Sequence, residues 1–228
     1  MNFSASIGAL LRIGRSQAVT ANNVANVETP GFKESITTDS NSGVAITANM
    51  AQGGIAVQGN AMDMAINGAG YLVVGTPQGR AYTRSGVMTA NPGGTLSDIN
   101  GHSFQPQISI PAGARAVSVH SDGTVTADVG GATQSLGRLQ LASFADPGQL
   151  RAIGGSLMQE TGASGPAVLN APGSGDAGSL QMGALEMSNT DLSRNMVTMI
   201  LDSSAFAYNV KAIKVQEQMS QVALDIKA

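Results

Sequence analysis

The chain has 228 residues, of which 12% are charged against roughly 25% in an average soluble domain; its 29 glycines, five phenylalanines, three tyrosines and absent tryptophan exclude a large aromatic core. It contains no cysteine, which removes disulfides, thiolate metal sites, iron–sulfur clusters and cysteine nucleophiles. A net charge of −3, with no basic cluster denser than Lys211 and Lys214, disfavours nucleic acid and anionic lipid as partners.

The first element is read from Phe3, Ile7, Leu10, Gly14, Gln17, Ala21 and Val24, which recur in alternating steps of four and three and so predict a helix with a coiled-coil seam. Gly8 and Gly14 weaken it, each by about 1 kcal/mol relative to alanine. It ends near Asn26, because Thr29-Pro30-Gly31 removes a backbone donor and supplies a turn. No Sec-type leader is expected: Arg12 and Arg15 follow a weak apolar patch instead of preceding a continuous one. Nor does any apolar run approach the roughly 18 residues that span a bilayer.

From Ile36 to about Leu180 short apolar runs of period two alternate with turn signals, which predicts a β region. Candidate strands are Ile55–Val57, Tyr71–Val74, Ala81–Arg84, Val87–Thr89, Ile108–Ile110, Ala116–His120, Thr124–Ala127 and Leu136–Phe144. Asn67-Gly68, Asn91-Pro92-Gly93-Gly94, Asn100-Gly101 and Asp122-Gly123 mark the hairpin turns. No βα alternation appears, which argues against a doubly wound nucleotide-binding sheet. Residues 162–179, rich in glycine and proline, read as an extended connector.

The helical period resumes after Asp191, with Asn189 or Thr190 as the expected cap. Leu192, Met196, Met199, Phe206, Val210 and Ile213 make one seam; Tyr208, Ala212, Val215, Met219, Val222 and Ile226 make a second, offset around the helix. One antiparallel helix can cover one seam. The other requires a further neighbour, and another copy of the chain is the economical choice. Burying each such side chain is worth roughly 1.5–3 kcal/mol.

Motifs for chemistry fail on context. Gly173-Ser174-Gly175-Asp176-Ala177-Gly178 matches a dinucleotide fingerprint in spacing, but no strand precedes it. His102 and His120 form no two-histidine metal pair, Asp122 and Asp128 lack the other donors of a calcium loop, and no G-x-S-x-G elbow occurs. No enzyme, cofactor or metal is expected. Met187, Met196, Met199 and Met219 fit helix packing better than a promiscuous peptide groove.

The informative cluster is Ala21-Asn22-Asn23-Val24-Ala25-Asn26 followed by Thr29-Pro30-Gly31-Phe32-Lys33. A helix cap and turn account for Pro30 and Gly31 but not for three asparagines in five positions. The cluster resembles the N-terminal signature of the bacterial flagellar rod and hook family, N-N-x-A-N then T-x-G-F-K. Ala65–Val74 with Tyr82-Thr83-Arg84-Ser85-Gly86 is similar to the family's central block, and Gly183–Asp191 to the block before its C-terminal helix.

The resemblance implies a rod subunit of middle or distal type that self-assembles into a helical tube, transmits torque and encloses an export channel. The fold it implies is α+β: a mainly-β central domain flanked by terminal helices that pair as a coiled coil. Residues 1–33 and 181–228 would form the inner tube and 34–180 the outer domain. Its partners would be other copies and other rod and hook proteins, with the surrounding basal-body rings and the type III export apparatus. Its place would be the basal body, reached without a cleaved signal. The stretch between Lys33 and Gly53 is shorter than its counterpart in distal-rod and hook members. The assembly residues expected are Phe3, Ile7, Leu10, Asn22, Asn23, Val24, Asn26, Leu192, Met199, Phe206, Val210 and Ile213. A secreted β-rich binding or adhesion module with helical tails, or a hook-type subunit, is the alternative.

Overall fold

The structure, a computed structural model, describes residues 3–40, 43–60 and 62–225. Its contacts divide the chain into two compact units. One comprises Met1–Asn26, Ser35–Thr47 and Thr190–Ala228; the other comprises Val27–Glu34 and Ala48–Asn189. Two helices and a largely β central region make the class α+β.

The helical unit contains α1 (Phe3–Ala25), the strands β1 (Ser35–Ser40) and β2 (Gly43–Ala48), which pair as a two-stranded sheet, and α2 (Leu192–Asp225). Helix α1 stops where the sequence places its turn: the Asn26 N–H closes the last turn on Asn22 O (3.2 Å) and Asn23 O (3.1 Å). The cap of α2 differs from expectation. Asp191 accepts from the Arg194 N–H at 3.0 Å and is the N-cap, since a short carboxylate at that position also suits the helix dipole. Asn189 is used in the β unit instead, accepting from the Glu34 N–H (2.8 Å) and donating to Asn49 O (2.8 Å) and Ala51 O (2.9 Å).

In the β unit the strands are β3 (Ile55–Val57), β4 (Met64–Asn67), β5 (Tyr71–Thr76), β6 (Gly79–Thr83), β7 (Met88–Ala90), β8 (Leu96–Asp98), β9 (Ser103–Phe104), β10 (Arg115–Val119), β11 (Thr124–Val129), β12 (Ala132–Arg138), β13 (Leu141–Ser143), β14 (Arg151–Gly154), β15 (Leu157–Gln159), β16 (Val168–Asn170), β17 (Ser179–Met182) and β18 (Ala184–Glu186). Nine of them form one sheet, ordered β14-β15-β6-β5-β9-β8-β7, with β13 joining β5 to β16. Strands β10-β11-β12 form a separate antiparallel sheet, while β17 pairs with β4 and β18 with β3.

Strand β5 sits at the centre, and its unbroken apolar run follows from burial on both faces. Leu72 and Val74 enter a cluster with Met64, Ile66, Leu96, Phe104, Val125, Leu141 and Leu180. Tyr71 and Val73 enter a second cluster with Tyr82, Ala142, Leu150 and Met158.

Three local readings are corrected. Ile108–Ile110 is no strand: Ser109 makes only an isolated bridge to Thr95, because Pro106 and Pro111 interrupt the donors a ladder needs on either side. The run Leu136–Phe144 divides between β12 and β13, which serve different sheets. The 162–179 stretch holds β16, paired with β13, and a turn in which the Gly173 N–H bonds Gly178 O at 2.9 Å.

Candidate assembly surface

Helices α1 and α2 pack against each other, and two side-chain hydrogen bonds cross between them. Gln17 Nε2 donates to Ser203 Oγ at 3.3 Å, and Asn23 Nδ2 donates to Asn195 Oδ1 at 3.2 Å. Asn23 is also clamped on the first residue of β1: its Oδ1 accepts from the Ser35 N–H and its Nδ2 donates to Ser35 O, both at 2.9 Å. The amide thus imitates one rung of a β-ladder. A neighbouring asparagine is the residue that supplies both a donor and an acceptor on so short a stem.

Of the twelve expected assembly residues, Phe3 begins α1 but its side chain lies outside the described residues. Ile7 (40% exposed), Leu192 and Phe206 (42%) are exposed; Leu10, Val24, Met199, Val210 and Ile213 are half-buried. Asn23 is buried within the helical unit. Asn22 is exposed, with its carbonyl accepting from Asn26 Nδ2 at 2.9 Å, and Asn26 is half-buried. In the second seam Tyr208, Val215, Met219 and Val222 are exposed; Ile226 is outside the described residues.

Four further apolar side chains escaped the seam reading: Leu11 on α1, and Val197, Ile200 (66% exposed) and Leu201 (63%) on α2. They break the four-three steps, which is why a seam search passes over them. The signal was their failure to fit: they spread apolar surface beyond any one face of the helix. Surplus of this kind far exceeds the isolated surface leucine that any protein carries.

All three motif blocks converge in the β unit on a buried cluster of charges. Lys33 Nζ lies 2.6 Å from Glu186 Oε1, and an Arg84 NH group lies 3.3 Å from Glu186 Oε2. Lys33 also donates to Ala51 O at 2.6 Å, while the Gly53 N–H donates to Glu186 Oε1 at 3.0 Å. The Arg84 guanidinium stacks on the Tyr71 ring, 5.2 Å from its centroid. Burial pushes the Lys33 ammonium below its usual range, against the opposing pull of Glu186. Gly31, at φ +68°, brings its backbone against Arg84 and Ser85, and its N–H bonds Glu186 O at 2.7 Å. Gly86 passes so close to the Met64 carbonyl that a Cβ would collide with it. The lysine and glycine of T-P-G-F-K, and the arginine and glycine of Y-T-R-S-G, are therefore parts of one packing arrangement.

Terminal helices gathered in one unit with more apolar surface than they can hide define the class of structural subunits that assemble. The comparisons name the class more closely. The flagella basal body rod protein family matches residues 4–33, the D1 domain of the flagellar hook protein FlgE/F/G matches 65–127, and the C-terminal part of the flagellar basal body rod FlgEFG protein matches 181–226. The chain is 35% identical to the flagellar basal-body rod protein FlgG of Buchnera aphidicola subsp. Baizongia pistaciae, over 89% of this chain and 90% of that one. It is likewise 35% identical to FlgG of Bacillus subtilis, over 92% of each. To the flagellar hook protein FlgE of Helicobacter pylori it is 37% identical over 49% of this chain and 16% of that one.

The chain belongs to the flagellar basal-body rod protein family. It is a structural rod subunit; the family is structural and not one of enzymes, and it belongs to the flagellar basal body. Among the described residues no helix is long and apolar enough to cross a membrane.

Proposed function

We propose that the subunit polymerises through α1 and α2 by heterologous, non-closing contacts into a tube. In it the helices pair as a coiled coil around the central channel, and the β domain faces outward. The inner domain is formed by residues 1–33 and 181–228, the outer by 34–180. The single observation that carries this reading is the apolar surplus on α2, where Val197, Ile200, Leu201, Phe206, Tyr208, Val215, Met219 and Val222 are all exposed in the single chain. Each such side chain buried against a neighbour contributes roughly 1.5–3 kcal/mol, which over several positions offsets the cost of ordering and associating subunits.

Ile7, Leu10, Val24, Met199, Val210 and Ile213, with Phe3 and Leu192, line the inner contacts of this assembly. Asn22 and Asn26 mark its helix end, and Asn23 sets the geometry there from within the chain. Other rod and hook proteins are the axial partners, with the surrounding rings and the type III export apparatus beside them. Glycines 8 and 14 keep α1 weak enough for the chain to be exported unfolded. The role is mechanical, with no catalysis.

Phe206→Asp tests the reading: it would place an unpaired charge in the tube wall. The variant should remain folded in its β unit by near-ultraviolet circular dichroism and form no filaments by electron microscopy. Normal rods from purified variant would refute the proposal.

A further inference from the structure

A cavity of about 390 Å³ opens in the β unit beside the buried charges, lined by residues that include Met50, Gly70, Tyr71, Arg84, Ser143 and Phe144. Its walls are mostly apolar, yet two polar atoms among its lining residues are buried without a hydrogen-bond partner: Arg84 Nε and Ser143 Oγ. The Arg84 side chain is 6% exposed, and its contact with Glu186 uses a terminal nitrogen, which leaves the inner N–H of the guanidinium fork with no acceptor among the described residues. A buried donor left unmade is costly.

The charge balance points the same way. Two basic side chains, Lys33 and Arg84, share one carboxylate, Glu186, and all three are more than nine-tenths buried. Buried charges are retained where they are paired. Asp176 also lines the cavity but is exposed, where water and salt screen it.

We propose that this cavity binds a carboxylate carried on a small apolar body. Arg84 Nε–H and Ser143 Oγ–H donate to its oxygens, and Met50, Tyr71 and Phe144 hold the apolar part. An arginine fork with a hydroxyl beside it suits a planar carboxylate, and the added negative charge completes the pairing of Lys33 and Arg84.

The test is a titration of the dilute, unassembled full chain with benzoate at constant ionic strength, read by nitrogen–proton spectra that include the arginine Nε–H signals. The expected result is saturable shifts at Arg84 Nε–H, Gly70 and Ser143. Ser143→Ala should weaken binding about tenfold. Arg84→Lys, which keeps a charge for Glu186 but loses the fork, should weaken it further, with thermal melts showing that both variants remain folded. Benzamide, the neutral counterpart, should bind at least tenfold more weakly than benzoate. The proposal is overturned if benzoate shows no saturation, if both folded variants bind it as the parent does, or if benzamide binds equally well. Repeating the titration on assembled filaments separates two sources of the carboxylate. Blocked binding assigns it to a side chain of a neighbouring copy, and unchanged binding to a free small molecule; both support the site.

Discussion

Lys33 and Glu186 stand 153 positions apart in the chain and form a 2.6 Å ion pair with side chains 1% and 0% exposed. The pair brings the end of the N-terminal motif and the start of the C-terminal motif into one buried arrangement, with Arg84 of the central block on the second oxygen of the same carboxylate. Three stretches that look independent along the chain are therefore one structural feature of the β unit.

Glu186→Gln should be among the most damaging isosteric changes in the β unit. It leaves Lys33 and Arg84 buried without their counter-charge, and breaking a buried pair from one side costs about 3–5 kcal/mol. Urea denaturation followed by tyrosine fluorescence should show a loss of unfolding free energy of that size; a loss under about 1 kcal/mol would contradict the reading of the cluster as a closed pair.

Gly31→Ala acts on the same region through the backbone. At φ +68° a side chain is strained, and the added Cβ would meet the Arg84–Ser85 backbone, which has no flexible end to move aside. A loss of about 2 kcal/mol or more is expected in thermal or chemical denaturation, with no change in helix content at low temperature.

Asn23→Ala removes three hydrogen bonds, two to Ser35 and one to Asn195. At roughly 1 kcal/mol each, the helical unit should lose about 2–3 kcal/mol. Amide hydrogen exchange at Ser35 should accelerate accordingly. Asn23→Asp keeps the acceptor for the Ser35 N–H but loses both donations, so its exchange rate should fall between the other two.

Alkaline stability should depend on Tyr82. Burial, with the Glu160 carboxylate accepting from the phenol at 3.0 Å, pushes its pKa up to about 12. An unfolded tyrosine titrates near 10, so between about pH 10 and 12 the folded chain holds the extra proton and stability falls as pH rises. The contribution is at most about 1.4 kcal/mol per pH unit. Tyr82→Phe should flatten the stability curve in that window, leaving the residual slope of Tyr71, whose pKa burial also raises. Parallel curves for parent and variant would show that the proton is not held there.

Some of this was written in local pattern. The end of α1, the strands at Tyr71 and Thr124 and the hairpin turns at 91–94, 100–101 and 122–123 follow from apolar spacing and from residues that tolerate positive φ, properties of a few neighbours at a time; Asn67-Gly68 is no hairpin turn, because β4 pairs with β17 and not with β5. The three motif blocks sufficed to place the chain among rod and hook proteins. The short strand Val168–Asn170 carried no such pattern, because a partner earlier in the chain, Leu141–Ser143, holds it in the sheet, and Arg151–Gly154 is exposed throughout, so no alternation of apolar residues marks it. The purpose of the asparagines and of Lys33 was equally invisible. A hydrogen bond or ion pair depends on where a partner 150 or more residues away comes to lie. Sequence alone determined that the terminal helices carry more grease than one pairing can cover; the tertiary structure decided which side chains stay bare, and that a buried charge cluster joins Lys33, Arg84 and Glu186 of the three motif blocks, because only the folded chain brings them together.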